Sequence, residues 1–191
     1  LAAATSVPRW FLEASPAEET KPAASPNDRP GLALVGCGGM GRHDLKNASR
    51  LGKVVALCDI DEAHLAEAKG DWPGAEGHKD FRKVMERKDV DAVICATPDH
   101  WHVLVSLAAM RAGKDVYCEK PLTLAIDEGK VLVRTARETR RVLQTGSQQR
   151  SDKSFRLACE LVRNGRLGKV RHVEVTLPAG VATVTVPVPA P

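Results

Sequence analysis

The stretch that decides the fold is GLALVGCGGMG, residues 31–41 of the chain. It opens with residues 31–36, a short, unbroken apolar run that glycine closes. A run of this length, apolar on both alternating faces, is typical of a strand buried in a parallel sheet. Gly36, Gly38 and Gly41 then form a G-x-G-x-x-G pattern between this strand and a predicted helix. The segment therefore predicts a strand, a tight glycine turn and a helix in direct succession.

This context is the one that a dinucleotide-binding turn requires. Gly36 permits the tight turn, Gly38 lets the backbone approach a pyrophosphate, and Gly41 lets the helix pack close to the strand. The backbone N–H groups of Gly39 and Met40 are expected to face the phosphates from the helix N-terminus. A glycine-rich turn without a ligand is the alternative, and the strand and helix on either side favour the dinucleotide site.

Beyond this motif, apolar runs alternate with helical patterns along the middle of the chain. Strands separated by helices of this length imply right-handed βαβ crossovers. We therefore predict an α/β fold with a doubly wound parallel sheet, a Rossmann fold, followed by the truncated start of an α+β domain. The predicted strands cover residues 31–36, 53–58, 91–96, 114–118 and 142–145. The predicted helices cover residues 40–51, 61–69, 80–87, 100–112 and 122–139. A loop is predicted over residues 71–79.

The two ends of the chain differ from this middle. Residues 1–30 are interpreted as a signal remnant and a proline-rich linker, residues 31–147 as the cofactor-binding domain, and residues 148–191 as the incomplete beginning of an α+β substrate or oligomerisation domain. In this last region we predict a helix over 151–164 and an alternating strand over 169–177. The apolar start and the linker suggest export through the twin-arginine route, with the cytoplasm as the alternative.

Composition excludes several classes of protein. Hydrophobic residues make up 43% and charged residues 27% of the 191 residues, as in an ordinary globular chain. No apolar run reaches the roughly 18 residues that a membrane helix needs. The net charge of +4 comes from interspersed charges of both signs, so we expect no nucleic-acid partner. The five cysteines include no C-x-x-C pair, and each is interpreted as a small buried residue.

A carboxylate closes the second predicted strand. Asp59 lies 23 residues after Gly36, close to the spacing at which an acidic residue binds the adenosine ribose. Its carboxylate can accept hydrogen bonds from both ribose hydroxyls and would repel a 2′-phosphate. The neighbouring position holds Ile60, which cannot bind that phosphate. This pattern predicts NAD as the cofactor and disfavours NADP.

Two further motifs follow the third and fourth predicted strands, at the edge where doubly wound folds bind ligands. Residues 96–102 read ATPDHWH, and residues 118–121 read CEKP. His100 and His102 diverge at a helix start and lack a third ligand, so we expect no metal. Lys120 can lose its charge when it is desolvated beside a cofactor and can then transfer a proton. A surface lysine before a proline turn is the alternative.

Taken together, GCGGMG, Asp59, ATPDHWH, CEKP and TGSQQR resemble the Gfo/Idh/MocA oxidoreductase family over about residues 31–177. The E-K-P tripeptide one strand after A-T-P-x-x-x-H is the specific part of the resemblance. It implies a C-terminal α+β domain and oxidation or reduction of sugars and cyclitols with NAD or NADP. The resemblance also implies roles for single residues. Those implied to line the cofactor cleft are Thr97, Pro98 and His102, and those by the nicotinamide ribose are Glu119 and Lys120, of which Lys120 assists proton transfer. The residues implied to lie near the nicotinamide and substrate are Gln148, Gln149 and Arg150.

The resemblance implies an NAD-dependent oxidoreductase that acts on a carbohydrate alcohol and forms a homo-oligomer. A non-catalytic NAD-binding sensor or assembly protein and a Rossmann methyltransferase are the alternatives. Lys120 favours an enzyme, and the third glycine and the E-K-P motif count against the methyltransferase. The family's second catalytic cluster, an Asp and a His on a helix of the C-terminal domain, has no expected counterpart here: the sequence stops before that helix, and His172 lies in a predicted strand. We therefore expect this chain to be the N-terminal part of a longer protein.

Overall fold

The structure is a computed structural model that describes residues 29–176. The chain divides into two units after Gly146, and each is described by itself. The predicted signal remnant and nearly all of the linker fall in residues 1–28, which lie outside the described residues. None of the helices in the described part is long and apolar enough to cross a membrane.

Residues 29–146 contain six strands that alternate with five helices. The strands are β1 (Gly31–Val35), β2 (Lys53–Cys58), β3 (Glu76–His78), β4 (Ala92–Cys95), β5 (Asp115–Glu119) and β6 (Leu143–Gly146). The helices are α1 (Gly39–Ala48), α2 (Glu62–Asp71), α3 (Phe81–Met85), α4 (Asp99–Arg111) and α5 (Ile126–Thr139).

The six strands form one parallel sheet in the order β3-β2-β1-β4-β5-β6. The chain builds outward from β1 to β3, then crosses back and builds from β4 to β6 on the other side. This confirms the predicted doubly wound Rossmann fold. The order reverses between β1 and β4, and ligands of such sheets bind at the carboxyl ends of the strands beside this switch point.

Strand β1 lies at the centre of the sheet and is buried on both faces. Leu32 and Leu34 pack into one apolar cluster, and Ala33 and Val35 pack into the other. Helices α1 and α2 supply side chains to the first cluster, and α3, α4 and α5 supply side chains to the second. A strand covered by helices on both faces needs an unbroken apolar run, which explains the sequence of β1.

The structure differs from the prediction at an edge of the sheet and at one helix start. Glu76–His78 forms a short strand within the loop predicted over 71–79. Its sequence carries no apolar alternation, and it is a strand because its backbone pairs in parallel with the end of β2. The helix predicted over 122–139 begins later, at Ile126.

The second unit is described from residue 147 to residue 176. It contains a 3-10 turn, Gln148–Ser151, and helix α6, Lys153–Arg163, so the predicted helix is confirmed. Asp152 caps α6 by accepting hydrogen bonds from two backbone N–H groups of its first turn.

The strand predicted over 169–177 is wrong for residues 169–176, which carry no strand, and residue 177 lies outside the described part. A strand exists only when its backbone pairs with a neighbour, and no described residue of this unit pairs with these. The start of an α+β domain stays a prediction.

Leu132 tests how the helices hold the sheet. Its side chain is fully buried from α5 in the second apolar cluster, so Leu132→Ala should leave a cavity and cost about 2–5 kcal/mol of unfolding free energy. The adjacent Val133 is 49% exposed, so Val133→Ala should change the free energy by no more than about 0.5 kcal/mol. Urea unfolding of both variants measures the difference, and equal effects would contradict this packing.

Candidate functional site

The turn that ends β1 requires glycine at two positions. Gly36 has φ of +94°, and a Cβ placed on it would lie 2.5 Å from the carbonyl oxygen of Ala96. A Cβ on Gly41 would lie 2.0 Å from the carbonyl oxygen of Gly36. Helix α1 therefore packs directly on the turn, and no larger residue fits at either position without moving backbone.

No contact within the described chain requires glycine at the second position of the motif, Gly38. A Cβ on Gly38 or Gly39 meets no atom of the described chain within 4 Å, so the turn faces open space at this point. The helix begins at Gly39, and the N–H groups of its first turn, including that of Met40, lack acceptors within the helix. Open space in front of free N–H donors at a helix N-terminus fits the pyrophosphate of a dinucleotide.

Asp59 is held in a fixed orientation at the end of β2. Its Oδ2 accepts a hydrogen bond of 2.7 Å from the N–H of Cys37, and its Oδ1 accepts one of 2.9 Å from the N–H of Asp61. The side chain is 12% exposed, and His64 Nδ1 lies 3.9 Å from Oδ2. Each carboxylate oxygen keeps a further lone pair, so the group can still accept from a ribose diol.

A cleft of about 440 Å³ lies between the glycine turn and the end of β4. Its apolar wall includes Phe81 and Trp101, whose rings meet edge to face with centroids 6.3 Å apart. Asp59, Thr97 and Pro98 also line this cleft. An apolar slot with a carboxylate at its rim fits an adenosine, whose base is flat and whose ribose carries a diol.

Two basic side chains of this cleft were missed by the sequence reasoning. His64 and Lys79 line it beside Asp59, and Lys79 pairs with Glu62. Neither lies within three residues of Asp59 in the sequence, so only the packing of α2 and β3 brings them there. The aromatic pair was also missed, since nothing in the spacing of Phe81 and Trp101 indicates that their rings meet.

The loop after β4 places two predicted residues in the cleft and one beneath it. Thr97 and Pro98 lie at the cleft surface. His102, in the first turn of α4, is 1% exposed and lies under the loop. Its Nε2 is 2.8 Å from the carbonyl oxygen of Thr97, and its Nδ1 is 2.7 Å from the carbonyl oxygen of Pro121.

The E-K-P motif forms the end of β5. Glu119 is the last residue of the strand and is 5% exposed, whereas Lys120 is exposed. The hydroxyl of Tyr117 donates a hydrogen bond of 3.2 Å to Glu119 Oε1. The peptide bond between Lys120 and Pro121 is cis.

A carboxyl pair that the sequence reasoning missed lies behind this motif. Asp44 projects from α1 toward Glu119, and its Oδ2 is buried without a hydrogen-bond donor in the described part of the chain. Burial and the negative charge of Glu119 raise the pKa of Asp44 to about 6. Burial and the two carboxylates raise the pKa of Tyr117 to about 12. Protonation of Asp44 removes the repulsion between the two carboxylates and turns its oxygen into a hydrogen-bond donor toward Glu119.

The helical spacing of α1 indicated that Asp44 is a polar residue close to the buried face. It lies three residues after Gly41 and one before Leu45, both of which are buried in the face of α1 that packs on the sheet. A polar residue on the flank of such a face needs a partner. No spacing rule connects it to Glu119, which is far away in the sequence.

Three side chains with metal-binding chemistry lie together under the same edge. One ligand atom from each of Cys95, His102 and Cys118 lies within 4.8 Å of the others, and all three are buried. Both ring nitrogens of His102 lie within hydrogen-bonding distance of backbone carbonyl oxygens. In the described geometry the imidazole is therefore packed near two thiols with its nitrogens directed at these carbonyls.

The remaining predicted residues lie in the second unit. Gln148, Gln149 and Arg150 form its 3-10 turn, and their side chains are exposed. Cys159 in α6 is exposed as well, so the interpretation of every cysteine as buried is wrong at this position. The other four cysteines are buried as expected.

The raised pKa of Asp44 predicts a pH-dependent stability. Because the pKa of Asp44 is raised in the folded state, protonation stabilises the fold at low pH, and this stabilisation is lost as the pH rises through about 6. Asp44→Asn places a neutral amide donor opposite Glu119 at every pH. This variant should match the parent near pH 4 and exceed it above pH 7, by roughly 1–3 kcal/mol.

Urea unfolding across this pH range measures the effect. Asp127→Asn is the matched control, because that carboxylate is 88% exposed and should leave the pH dependence unchanged. A parent and an Asp44→Asn variant whose stabilities stay parallel from pH 4 to pH 8 would show that the fold does not raise the pKa of Asp44.

Comparison with known proteins adds to this geometry. Residues 31–147 match the family described as "Oxidoreductase family, NAD-binding Rossmann fold". The chain is 32% identical over 142 residues to inositol 2-dehydrogenase 2 of Saccharopolyspora erythraea, a match that covers 72% of this chain and 42% of that protein. It is also 32% identical over 160 residues to a glycosyl hydrolase family 109 protein of Solibacter usitatus, with 77% and 36% covered.

Among solved structures, the scyllo-inositol dehydrogenase of Lactobacillus casei with bound NAD(H) and scyllo-inositol is similar. Its TM-score is 0.68 at 28% identity, and the match covers 74% of this chain and 43% of that one. The chain thus spans less than half the length of these relatives. With the family match over the whole sheet and an open glycine turn beside an oriented Asp59, the chain belongs to the Gfo/Idh/MocA family of oxidoreductases with an NAD-binding Rossmann fold.

Proposed function

We propose that the protein containing this chain is an NAD-dependent oxidoreductase that transfers a hydride between the nicotinamide and a hydroxyl-bearing carbon of a cyclitol or sugar. The observation that carries the proposal is the open turn at Gly38 combined with the oriented carboxylate of Asp59 at the neighbouring strand end. The cyclitol substrate class is supported by the inositol dehydrogenases among the relatives.

The chain's own residues account for binding. The first-turn N–H groups of α1, at Gly39 and Met40, donate to the pyrophosphate, and Asp59 accepts from the adenosine ribose hydroxyls. The apolar wall with Phe81 and Trp101 excludes water from the adenine. Met40 is 45% exposed, so this residue lies at the surface of the turn.

Lys120 is the group we assign to proton transfer. The nicotinamide supplies the hydride chemistry when NAD is bound. Lys120 follows the last residue of β5 at the carboxyl edge of the sheet and is exposed, so its amino group can hydrogen-bond the reacting oxygen. When the alcohol is oxidised, the neutral amine accepts the hydroxyl proton as the hydride leaves for NAD, and in the reverse reduction the ammonium donates that proton to the developing alkoxide. Gln148 is proposed as a further cofactor contact, and Gln149 and Arg150 as substrate contacts.

A glycoside hydrolase is the second candidate, because a relative of equal identity carries that name. The two activities differ in whether the cofactor is reduced overall. A dehydrogenase reduces one NAD for each alcohol that it oxidises, whereas hydrolysis releases a sugar without net reduction of NAD. Measuring NADH formation and sugar release on inositols and on aryl glycosides separates the two activities.

A methyltransferase is not supported, since the family that matches is NAD-binding. A sensor role would show NAD binding with neither product. Homo-oligomerisation and export stay predictions.

Asp59 should decide the choice between NAD and NADP. Its carboxylate would face a 2′-phosphate, so the unmodified protein should bind NAD more tightly than NADP. In Asp59→Ala, NAD binding should weaken more than NADP binding, because the diol contact is lost while His64 and Lys79 remain in the cleft. Calorimetric titration of both cofactors measures this.

Asp127→Asn provides the control for that titration. It removes one negative charge from a carboxylate that is 88% exposed on α5 and does not line the cleft. The ratio of NAD to NADP affinity should stay close to that of the parent in this variant. Tighter binding of NADP than of NAD by the parent would refute the assignment of Asp59.

Lys120 should matter for turnover and little for NAD affinity. Lys120→Ala should lower kcat by roughly 10²-fold or more and leave NAD affinity within a few-fold. Lys120→Arg should restore little activity, because a guanidinium keeps its proton. Lys130→Ala, at a lysine on α5 that is 72% exposed, is the control and should behave as the parent. Near-parent turnover in Lys120→Ala would return this lysine to a structural role.

A further inference from the structure

His102 joins the two loops that carry the predicted catalytic edge of the site. One of its ring nitrogens contacts Thr97 in the loop after β4, and the other contacts Pro121 directly after Lys120. These loops leave neighbouring strands, since β4 and β5 pair along their length. A single side chain therefore spans the gap between the cleft-lining loop and the lysine.

Both contacts end on backbone carbonyl oxygens, which only accept hydrogen bonds. A neutral imidazole carries one N–H, so it can satisfy one of these carbonyls and must turn a lone pair toward the other. Both contacts are favourable only when each ring nitrogen carries a hydrogen. At 2.7 and 2.8 Å, both ring nitrogens are within hydrogen-bonding distance of their carbonyl oxygens.

The surroundings of the ring leave it little freedom. The side chain is 1% exposed, and the thiols of Cys95 on β4 and Cys118 on β5 lie against it. The two strand ends and the first turn of α4 thus enclose the imidazole, which cannot rotate away from either carbonyl without breaking this packing.

We propose that His102 is a positioning residue: it donates from both ring nitrogens to Thr97 and Pro121 and so sets the distance between the nicotinamide side of the cleft and Lys120. The effect of His102 on turnover rests on the proposed function. The presence of a hydrogen on both of its ring nitrogens does not. The Thr97 carbonyl belongs to the peptide group that leads into Pro98, and the Pro121 carbonyl lies one residue after Lys120. A small displacement of either peptide group moves the cleft loop or Lys120 away from the reacting atoms. Such a misplacement lowers kcat.

The protonation of the ring is tested directly by NMR of the complete protein labelled with ¹⁵N-histidine. We expect the buried His102 to show two imidazole N–H correlations at neutral pH, assigned by their absence in His102→Gln. A single N–H correlation for this residue would overturn the proposal, whatever reaction the protein catalyses.

The positioning role is tested by kinetics with an inositol or the sugar that the protein turns over. His102→Phe keeps a ring of similar size and removes both donors. It should lower kcat by roughly 10- to 100-fold while NAD affinity, measured by titration, stays within a few-fold. His102→Gln keeps one donor group and should fall between the parent and His102→Phe.

Ser106→Ala is the matched control, because Ser106 is fully buried one turn further along α4 and touches neither loop carbonyl. Its kcat should equal that of the parent. If His102→Phe and Ser106→Ala lower kcat equally, or if His102→Phe acts only through stability, the positioning role is wrong. If the parent turns over no alcohol, the proposed function fails, and the NMR result still decides the state of the ring.

Discussion

The direct packing of α1 on the turn after β1 is the constraint on which the rest of the site depends. The 2.0 Å distance between a Cβ at Gly41 and the carbonyl of Gly36 shows that helix and turn touch through backbone alone. Because they touch there, the first-turn N–H groups of α1 point outward from the sheet edge. Every other feature of the cleft is arranged around that point.

Two of those features come from the strands on either side of β1. On the β2 side, two backbone N–H groups orient the carboxylate of Asp59, one of them from Cys37 in the glycine turn itself. On the β4 side, the loop with Thr97 crosses over the turn, and its preceding carbonyl is what excludes a side chain from Gly36. The turn, the carboxylate and the loop therefore hold one another in place.

Behind the cleft, polar groups connect elements that the apolar core does not. Asp44 and Glu119 connect α1 to the end of β5, and His102 connects the loops after β4 and β5. Buried polar groups are costly unless they are paired, which means that each of these contacts tolerates few alternative arrangements. The core clusters set which helices cover the sheet, and these polar contacts set how its carboxyl edge is shaped.

The sequence by itself was enough for the parallel sheet, the glycine turn and the position of Asp59. These depend on local patterns: an apolar run, glycines at fixed spacing, and a carboxylate at a strand end. It was insufficient for β3, which exists only through pairing with β2, and for the residues around the cleft such as Lys79 and Phe81. It also left His102 as a residue of the cleft wall, whereas the structure places its ring beneath the loop. Side-chain partners that are distant in the sequence meet only after the crossovers bring their strand ends together, and no spacing along the chain encodes that meeting.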